Sequence, residues 1–335
     1  MSRKFVYKSV LAPFMNDFIA MKEASGLDYL RTKWILLEID NFFSEKNVRE
    51  AVITRELVLQ WQQTRVNDQP RTLYSKISII SQLARYMSRH GHDCYIPPLH
   101  GHAVRKTDFT PYIFSFEQIE MLFEKSSQLG VYDAHMNSTM FCIPAILRLL
   151  YSTGVRISEA LSIRNRDVVF EQKYIHIRKT KNGSERIVPL NDSLEQTLKQ
   201  YILYRDRMPV KSTNSPDGFL FIKPDGTYCH AQSIYTWFRT LLSSSHIPYT
   251  GNHHGPRVHD LRHTFAVHAM VQMARNGQDV YCSLPVISTC LGHKSLAATE
   301  QYVRLFAGMY PELVNQCSPV SAYVFPTVIP PVLTK

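Results

Sequence analysis

A chain of 335 residues suits two domains better than one small module, and 44% apolar beside 20% charged residues gives it enough material for a buried core. The formal net charge of +10 fits a polyanionic partner, because each phosphate neutralised releases counterions, although many basic proteins bind no polyanion. No apolar run reaches the ~18 residues of a membrane span and the N-terminus MSRKFVYKSV has no signal h-region, so a cytoplasmic protein with no membrane partner is expected. The six cysteines form no C-x-x-C pair, which argues against a zinc ribbon or a thioredoxin-like site and leaves them as small buried hydrophobes.

In chain order, SVLAPFMNDFIAMKEAS and LDYLRTKWILLEIDNFFSEKN repeat apolar residues at helical spacing. TRELVLQWQQTR opens on Thr54 as an N-cap, and TLYSKISIISQLARYMSRHG closes at Gly91 with Arg89 and His90 in the last turn. Residues 1–102 therefore read as a helical bundle. Arg71, Lys76, Arg85 and Arg89 give its last helix a basic side, either a solvated face or one that meets the polyanion. Pro97-Pro98 break the helical spacing, and the pair Arg105-Lys106 makes 103–115 an extended basic linker, a further candidate for polyanion contact.

From Phe116 the helical spacing returns in FEQIEMLFEKS and TMFCIPAILRLLYSTG, with Pro144 tolerated at a first turn. After Gly154 the period changes. YIHIRK and ERIVPL, joined through Lys181-Asn182-Gly183-Ser184, predict a hairpin, and FLFIKPDGTY predicts a second strand-and-turn element before more helices. The fold class is thus mainly α with a small antiparallel β-sheet (α+β). Residues 116–317 form the second domain, and 318–335, with four prolines, form an extended tail. In VRLFAGMYPELVNQ, Val303, Leu305, Phe306, Met309, Tyr310 and Leu313 recur at helical spacing, so residues from about Phe306 onward are expected to pack on a neighbouring protomer, the alternative being that they fold back on their own domain.

The stretch HDLRH, His259 to His263, puts two histidines and an arginine on one helical turn. A zinc hydrolase would use H-E-x-x-H with the carboxylate as base. Here Leu261 and Arg262 fill the middle, and a guanidinium beside a dication is electrostatically wrong. An anion cradle fits better: Arg262 offers a permanently charged fork, and His259 can give or take a proton beside it. Five letters alone still permit a plain structural face. Elsewhere, Arg156 enters a helix just after Thr153-Gly154 with Glu159 three residues on, Lys181 sits at the hairpin tip, and Tyr302 follows His293 by nine residues. His263 and His268 read as buried helix residues with satisfied nitrogens, and His253-His254 as loop.

TG-x-R-x-S-E-A-L, T-K-N-G-S-E-R-I-V-P-L, H-x-L-R-H, L-G-H and the final tyrosine, in this order from Thr153 to Arg304, resemble the tyrosine recombinase (phage integrase) family. The helical first half resembles the family's core-binding domain, and 116–317 its catalytic domain. The resemblance implies that Tyr302 attacks a scissile DNA phosphate, forming a 3′-phosphotyrosine and freeing a 5′-hydroxyl. It implies that Arg156 and Arg262 hold the non-bridging oxygens, that Lys181 protonates the leaving oxygen, that His259 assists proton transfer at Tyr302, and that His293 bonds the phosphate. Glu159 would orient an arginine. No cofactor or metal is implied, since the cations supply the charge. The implied partners are double-stranded DNA recombination sites and further copies of the chain, as a tetramer on DNA. Between His268 and Leu291 the interval is longer than in the compact chromosome-dimer resolving members. Its D-V-Y-x-x-L-P-x-x-S-x-x-L-G-H resembles recombinases of transposons and integrative elements. The competing readings are a catalytically silent DNA-binding protein of the same fold and a type IB topoisomerase-like enzyme.

Overall fold

The apolar spacing of the first half becomes four helices: α1 (Ala12–Glu23), α2 (Leu30–Glu45), α3 (Arg55–Gln63) and α4 (Pro70–Arg89). The computed structural model describes residues 5–26, 29–99, 110–130, 138–178, 180, 183–249, 251 and 255–316. It divides into two compact units, Met1–Asp108 and Phe109–Lys335. In the first, Thr54 caps α3 by accepting a hydrogen bond from Leu57 N–H, and α4 runs to Arg89 before Gly91 turns with φ +89°. Leu11, Met15, Phe18, Leu36, Ile39, Trp61, Ile77 and Leu83 fill the core. Buried Asp40 accepts the backbone N–H groups of Lys8 (2.7 Å) and Ser9 (2.9 Å), which ties the entry to α1 onto α2.

The second unit begins earlier than its first helix. Residues 110–115, expected to be linker, run extended against this unit: Phe114 is fully buried and its N–H donates to Thr264 Oγ1 at 3.1 Å. An aromatic side chain with a core to enter outweighs the linker signal of its neighbours. Residues 100–109, with Arg105 and Lys106, lie outside the described residues.

Ser115 and Gln118 form a reciprocal capping box that starts α5 (Phe116–Ser127). A short 3₁₀ turn then leads into α6 (Ile143–Thr153), with Pro144 in its first turn, and α6 stops at Gly154, which is left-handed at φ +63°. After α7 (Ile157–Ala160) comes a three-stranded antiparallel sheet of β1 (Val168–Val169), β2 (Tyr174–Ile177) and β3 (Arg186–Pro189). Ile175 pairs with Val188 and Ile177 with Arg186. FLFIKPDGTY contributes only two isolated bridges, Arg164 to Phe219 and Ile222 to Tyr228. The chain continues through α8 (Asp192–Arg205), α9 (Ala231–Ser244), α10 (Asp260–Arg275), α11 (Val280–Leu291), α12 (Ala297–Met309) and α13 (Pro311–Gln316). Helix α10 packs against α6 on one hand and against α11 and α12 on the other. One core gathers Ile146, Leu149, Ile175, Val188, Leu198 and Phe238, and a smaller one gathers Val267, Met270, Ile287, Leu291, Tyr302, Phe306 and Leu313. The expected fold class, mainly α with a small antiparallel sheet, is borne out. No helix among the described residues is long and apolar enough to cross a membrane.

Candidate active site

The turn that delivers Arg156 requires glycine before it. A Cβ on Gly154 would stand 2.4 Å from Phe265 Cδ1 and 2.8 Å from Leu291 Cδ2, and the left-handed backbone disfavours any side chain there. Arg156 then precedes α7 with its side chain about a quarter exposed. Its Nη1 donates to Glu159 Oε1 (2.9 Å) and its backbone N–H to Glu159 Oε2 (2.9 Å). Glu159 is buried and holds a second arginine, Arg186 of β3, through Nη2 at 2.7 Å. Burial works to raise the Glu159 pKa, but the bonds from Arg186 and Arg156 outweigh it and hold the carboxyl below its usual range. Glu159 is thus ionised and tethers both arginines.

Arg262, on the first turn of α10, is buried; Nη1 donates to Gly154 O (2.6 Å) and Nη2 to Leu291 O (2.7 Å). Those carbonyls lie where α6 and α11 end, where unpaired oxygens carry partial negative charge. Burial and the neighbouring Arg156 lower its pKa to about 10, so it stays cationic at neutral pH.

Gly292 ends α11 in a left-handed turn (φ +65°) and aims His293 back at the site. His293 Nδ1 lies 2.8 Å from Thr299 Oγ1, and its ring is parallel to Tyr302 at 6.3 Å. Burial, then Arg262, Arg156 and Arg186, lowers His293 to about 4. His259 stands at the N-cap of α10 with an exposed edge; burial of its inner edge, then Arg262, Arg257 and Arg156, lowers it to about 4. Tyr302, on α12, is buried with its hydroxyl 2.9 Å from His263 Nδ1, and burial raises its pKa against the pull of Arg262.

The structure therefore brings Arg156, Glu159, His259, Arg262, His293 and Tyr302 together, although more than a hundred residues separate the first from the last. Lys181, the expected hairpin-tip lysine, lies outside the described residues; Thr180 and Ser184 beside it line one cleft with Arg156, Arg186, His293 and Lys294. A second groove beside His259 is lined by Tyr235, Arg239, Tyr249 and Arg257, with the Arg239 guanidinium 4.9 Å above the Tyr249 ring.

On the first unit, Arg71, Arg85 and Arg89 are exposed. Lys76 is not part of that face: its amine is 2.8 Å from both Glu38 and Asp68, so its charge is committed within the bundle. Sequence reasoning assigned no role to Arg186 or Thr299 and took His263 for a core residue. For Arg186 the sequence carried no clear signal: Ile187 and Val188 are both apolar, and only the structure, with Ile187 outward at 59% exposure and Val188 buried, turns Arg186 toward the protein.

Residues 113–308 match the phage integrase family. The chain belongs to that family. It is 26% identical over 306 residues to the tyrosine recombinase XerD of Rickettsia bellii, covering 88% of this chain and 93% of that one. It is 30% identical over 239 residues to the tyrosine recombinase XerC of Chlamydia caviae, covering 71% and 69%. Among solved structures, the fold is similar to the XerH site-specific recombinase bound to a palindromic difH substrate (TM-score 0.59, 20% identity, 83% and 76% covered). It is equally similar to the Tn1549 transposon integrase in complex with transposon right end DNA (TM-score 0.59, 16% identity, 90% and 99% covered). By family and by fold the chain is a tyrosine recombinase.

Proposed function

We propose that this tyrosine recombinase cleaves and rejoins double-stranded DNA at specific sites through a 3′-phosphotyrosine at Tyr302, and that it moves a mobile genetic element. The observation that carries the reading is one pocket holding a tyrosine hydroxyl, two arginines and three histidines, with neither arginine neutralised outright. In the step proposed, Tyr302 Oη loses its proton with the help of neutral His259 and bonds to phosphorus, and the bond from phosphorus to the 5′ oxygen breaks. Arg156 and Arg262 offset the negative charge that grows on the non-bridging oxygens, and Lys181 protonates the departing 5′ oxygen. A preorganised donor of this kind lowers the barrier by about 3–4 kcal/mol. The phosphotyrosine stores the energy of the broken bond, so a 5′-hydroxyl of a partner duplex can displace the tyrosine without a nucleotide cofactor.

Several features support the DNA partner: the net charge of +10, the exposed Arg71, Arg85 and Arg89, and the arginine–tyrosine groove beside His259. The D-V-Y-x-x-L-P sequence at the start of α11 supports the mobile-element reading, where Asp279 caps the helix by accepting from Tyr281 and Cys282 N–H. Strand exchange between two duplexes needs four nucleophiles, one for each strand, so a tetramer assembled on DNA is part of the proposal. The test is a nicked suicide duplex carrying the element's end. Wild-type protein should be trapped on it covalently, whereas Tyr302→Phe should bind it with equal affinity and form no adduct. An adduct with the Phe variant would assign the nucleophile elsewhere.

A further inference from the structure

Helix α10 shows two histidines to the nucleophile's side of the pocket, one turn apart, with rings 5.0 Å apart and edge-on. The motif gives the first of them, His259, to the tyrosine. The structure gives it the second. The Tyr302 hydroxyl lies 2.9 Å from His263 Nδ1, a hydrogen bond buried at both ends. Arg262 also reaches the phenol, but only as a donor, while its two terminal nitrogens bond Gly154 O and Leu291 O. His293 Nδ1 bonds Thr299 Oγ1, which leaves His263 Nδ1 as the acceptor at hydrogen-bond distance from the hydroxyl.

We infer that His263 is a further functional residue of the strand-cleavage reaction: it accepts the hydrogen bond of the Tyr302 hydroxyl and fixes the direction from which that oxygen attacks. This rests on Tyr302 being the nucleophile, as proposed above. A phenol hydroxyl rotates freely about its C–O bond, and only one oxygen lone pair direction suits in-line attack on phosphorus. An acceptor at 2.9 Å aims the hydrogen one way and so leaves the lone pairs facing the other. His263 suits the task because it is neutral: burial, then His259, Arg262, Arg257 and His293, lowers it to about 3, so Nδ1 can remain an unprotonated acceptor across the physiological range. A cationic imidazole at this place would present a donor and turn the phenol around. The packing agrees with a fixed register, since Tyr302 and Phe306, one turn apart on α12, are both buried in the core that α10 lines.

The test compares two substitutions in the full-length protein by single-turnover adduct formation on the nicked suicide duplex at saturating concentration. His263→Leu keeps bulk and loses the acceptor; its adduct rate should fall about tenfold, the worth of one hydrogen bond realised in the transition state. Its affinity for the duplex should not change. His263→Asn puts an amide oxygen near the place of Nδ1 and should recover most of the rate. A wild-type rate for the Leu variant overturns the inference, and so does an Asn variant as slow as the Leu variant. If Leu lowers the unfolding midpoint, the Asn variant at matched stability decides by the same criterion. Absence of any wild-type adduct would instead remove the nucleophile assignment, and this inference with it.

Discussion

Arg262 illustrates how one side chain joins fold and chemistry. It ties the ends of α6 and α11 together through Gly154 O and Leu291 O, yet a guanidinium has more donors than two carbonyls use, which leaves some for a phosphate. The buried histidines nearby make the pocket acid-sensitive. Burial above all holds His263 at about 3 and His268 at about 4, against an ordinary 6.5. As pH falls the unfolded chain therefore takes up these protons first. The stability that depends on neutral histidines is complete above pH 6.5 and is lost on acidification toward 4 and 3. The slope is at most about 1.4 kcal/mol per pH unit for each histidine. Urea midpoints of the wild type should fall between about pH 7 and about pH 5, and His268→Gln should flatten that fall. Parallel slopes for the two proteins would place His268 outside the effect. At this scale the gathering of Arg156, His259, Arg262, His293 and Tyr302 was legible, because chemistry restricts their types and the motif fixes their order. The bond from His263 to Tyr302 was not, since it joins residues 39 apart whose spacing carries no period. Lys76 was misread against available arithmetic. Five residues along an α-helix is a rotation of about 140°, which takes Lys76 off the face of Arg71 and toward Glu38.

Among the elements, those with a complete local signal formed as expected: Thr54 capped α3, Pro144 sat in the first turn of α6, and β2 and β3 paired. The weaker ones shrank. FLFIKPDGTY has strand-like residues but no long partner, so it makes bridges only, while the two residues of β1 were too few to show a period. The run from Val303 to Leu313 is two helices, because Pro311 cannot extend α12 and Tyr310 leaves the helical conformation at φ −134° and ψ +58°. What holds the site together across elements is Arg186. It reaches from β3 to Glu159 of α7 (2.7 Å) and, through Nε, to Cys290 O of α11 (2.8 Å), and it lies against Gly292, where a Cβ would be 2.9 Å from its Nη1. Arg186→Leu would leave Glu159 a buried carboxylate with half its cations removed, and should cost about 3 kcal/mol in urea unfolding. Adding Glu159→Leu should restore much of that stability, since the buried carboxylate is gone and Arg156 is partly exposed to solvent, but not strand cleavage, since Arg156 loses its anchor. If the double variant is no more stable than Arg186→Leu, the arginine acts by packing and not by charge.

For the molecule as a whole, the break between the two units was legible in the Pro-rich basic stretch between Gly91 and Phe116. Its details were not, because Phe114 reads as linker until the core that receives it is known. The same holds at the C-terminal end. The apolar segment from Phe306 onward was expected on a neighbouring protomer, whereas the structure shows Phe306 and Leu313 buried in the core lined by α10 and α11 of the same chain, because apolar spacing does not say whose groove receives it. Burying a leucine is worth about 2 kcal/mol, so cutting the chain before Leu313 would damage the fold and confuse any test of assembly. Cutting after Val314 leaves Tyr302, Phe306 and Leu313 in place and removes only residues 315–335. If those residues reach a second protomer when the proposed tetramer forms, the truncated protein should keep its unfolding midpoint and its affinity for a single site. It should also keep its covalent adduct on the suicide duplex. Recombination between two sites should nonetheless fall several-fold, and paired-site complexes on native gels should weaken in step. Wild-type recombination by the truncated protein would show that residues 315–335 play no part in assembly, and would leave α12 and α13 as elements of their own domain alone.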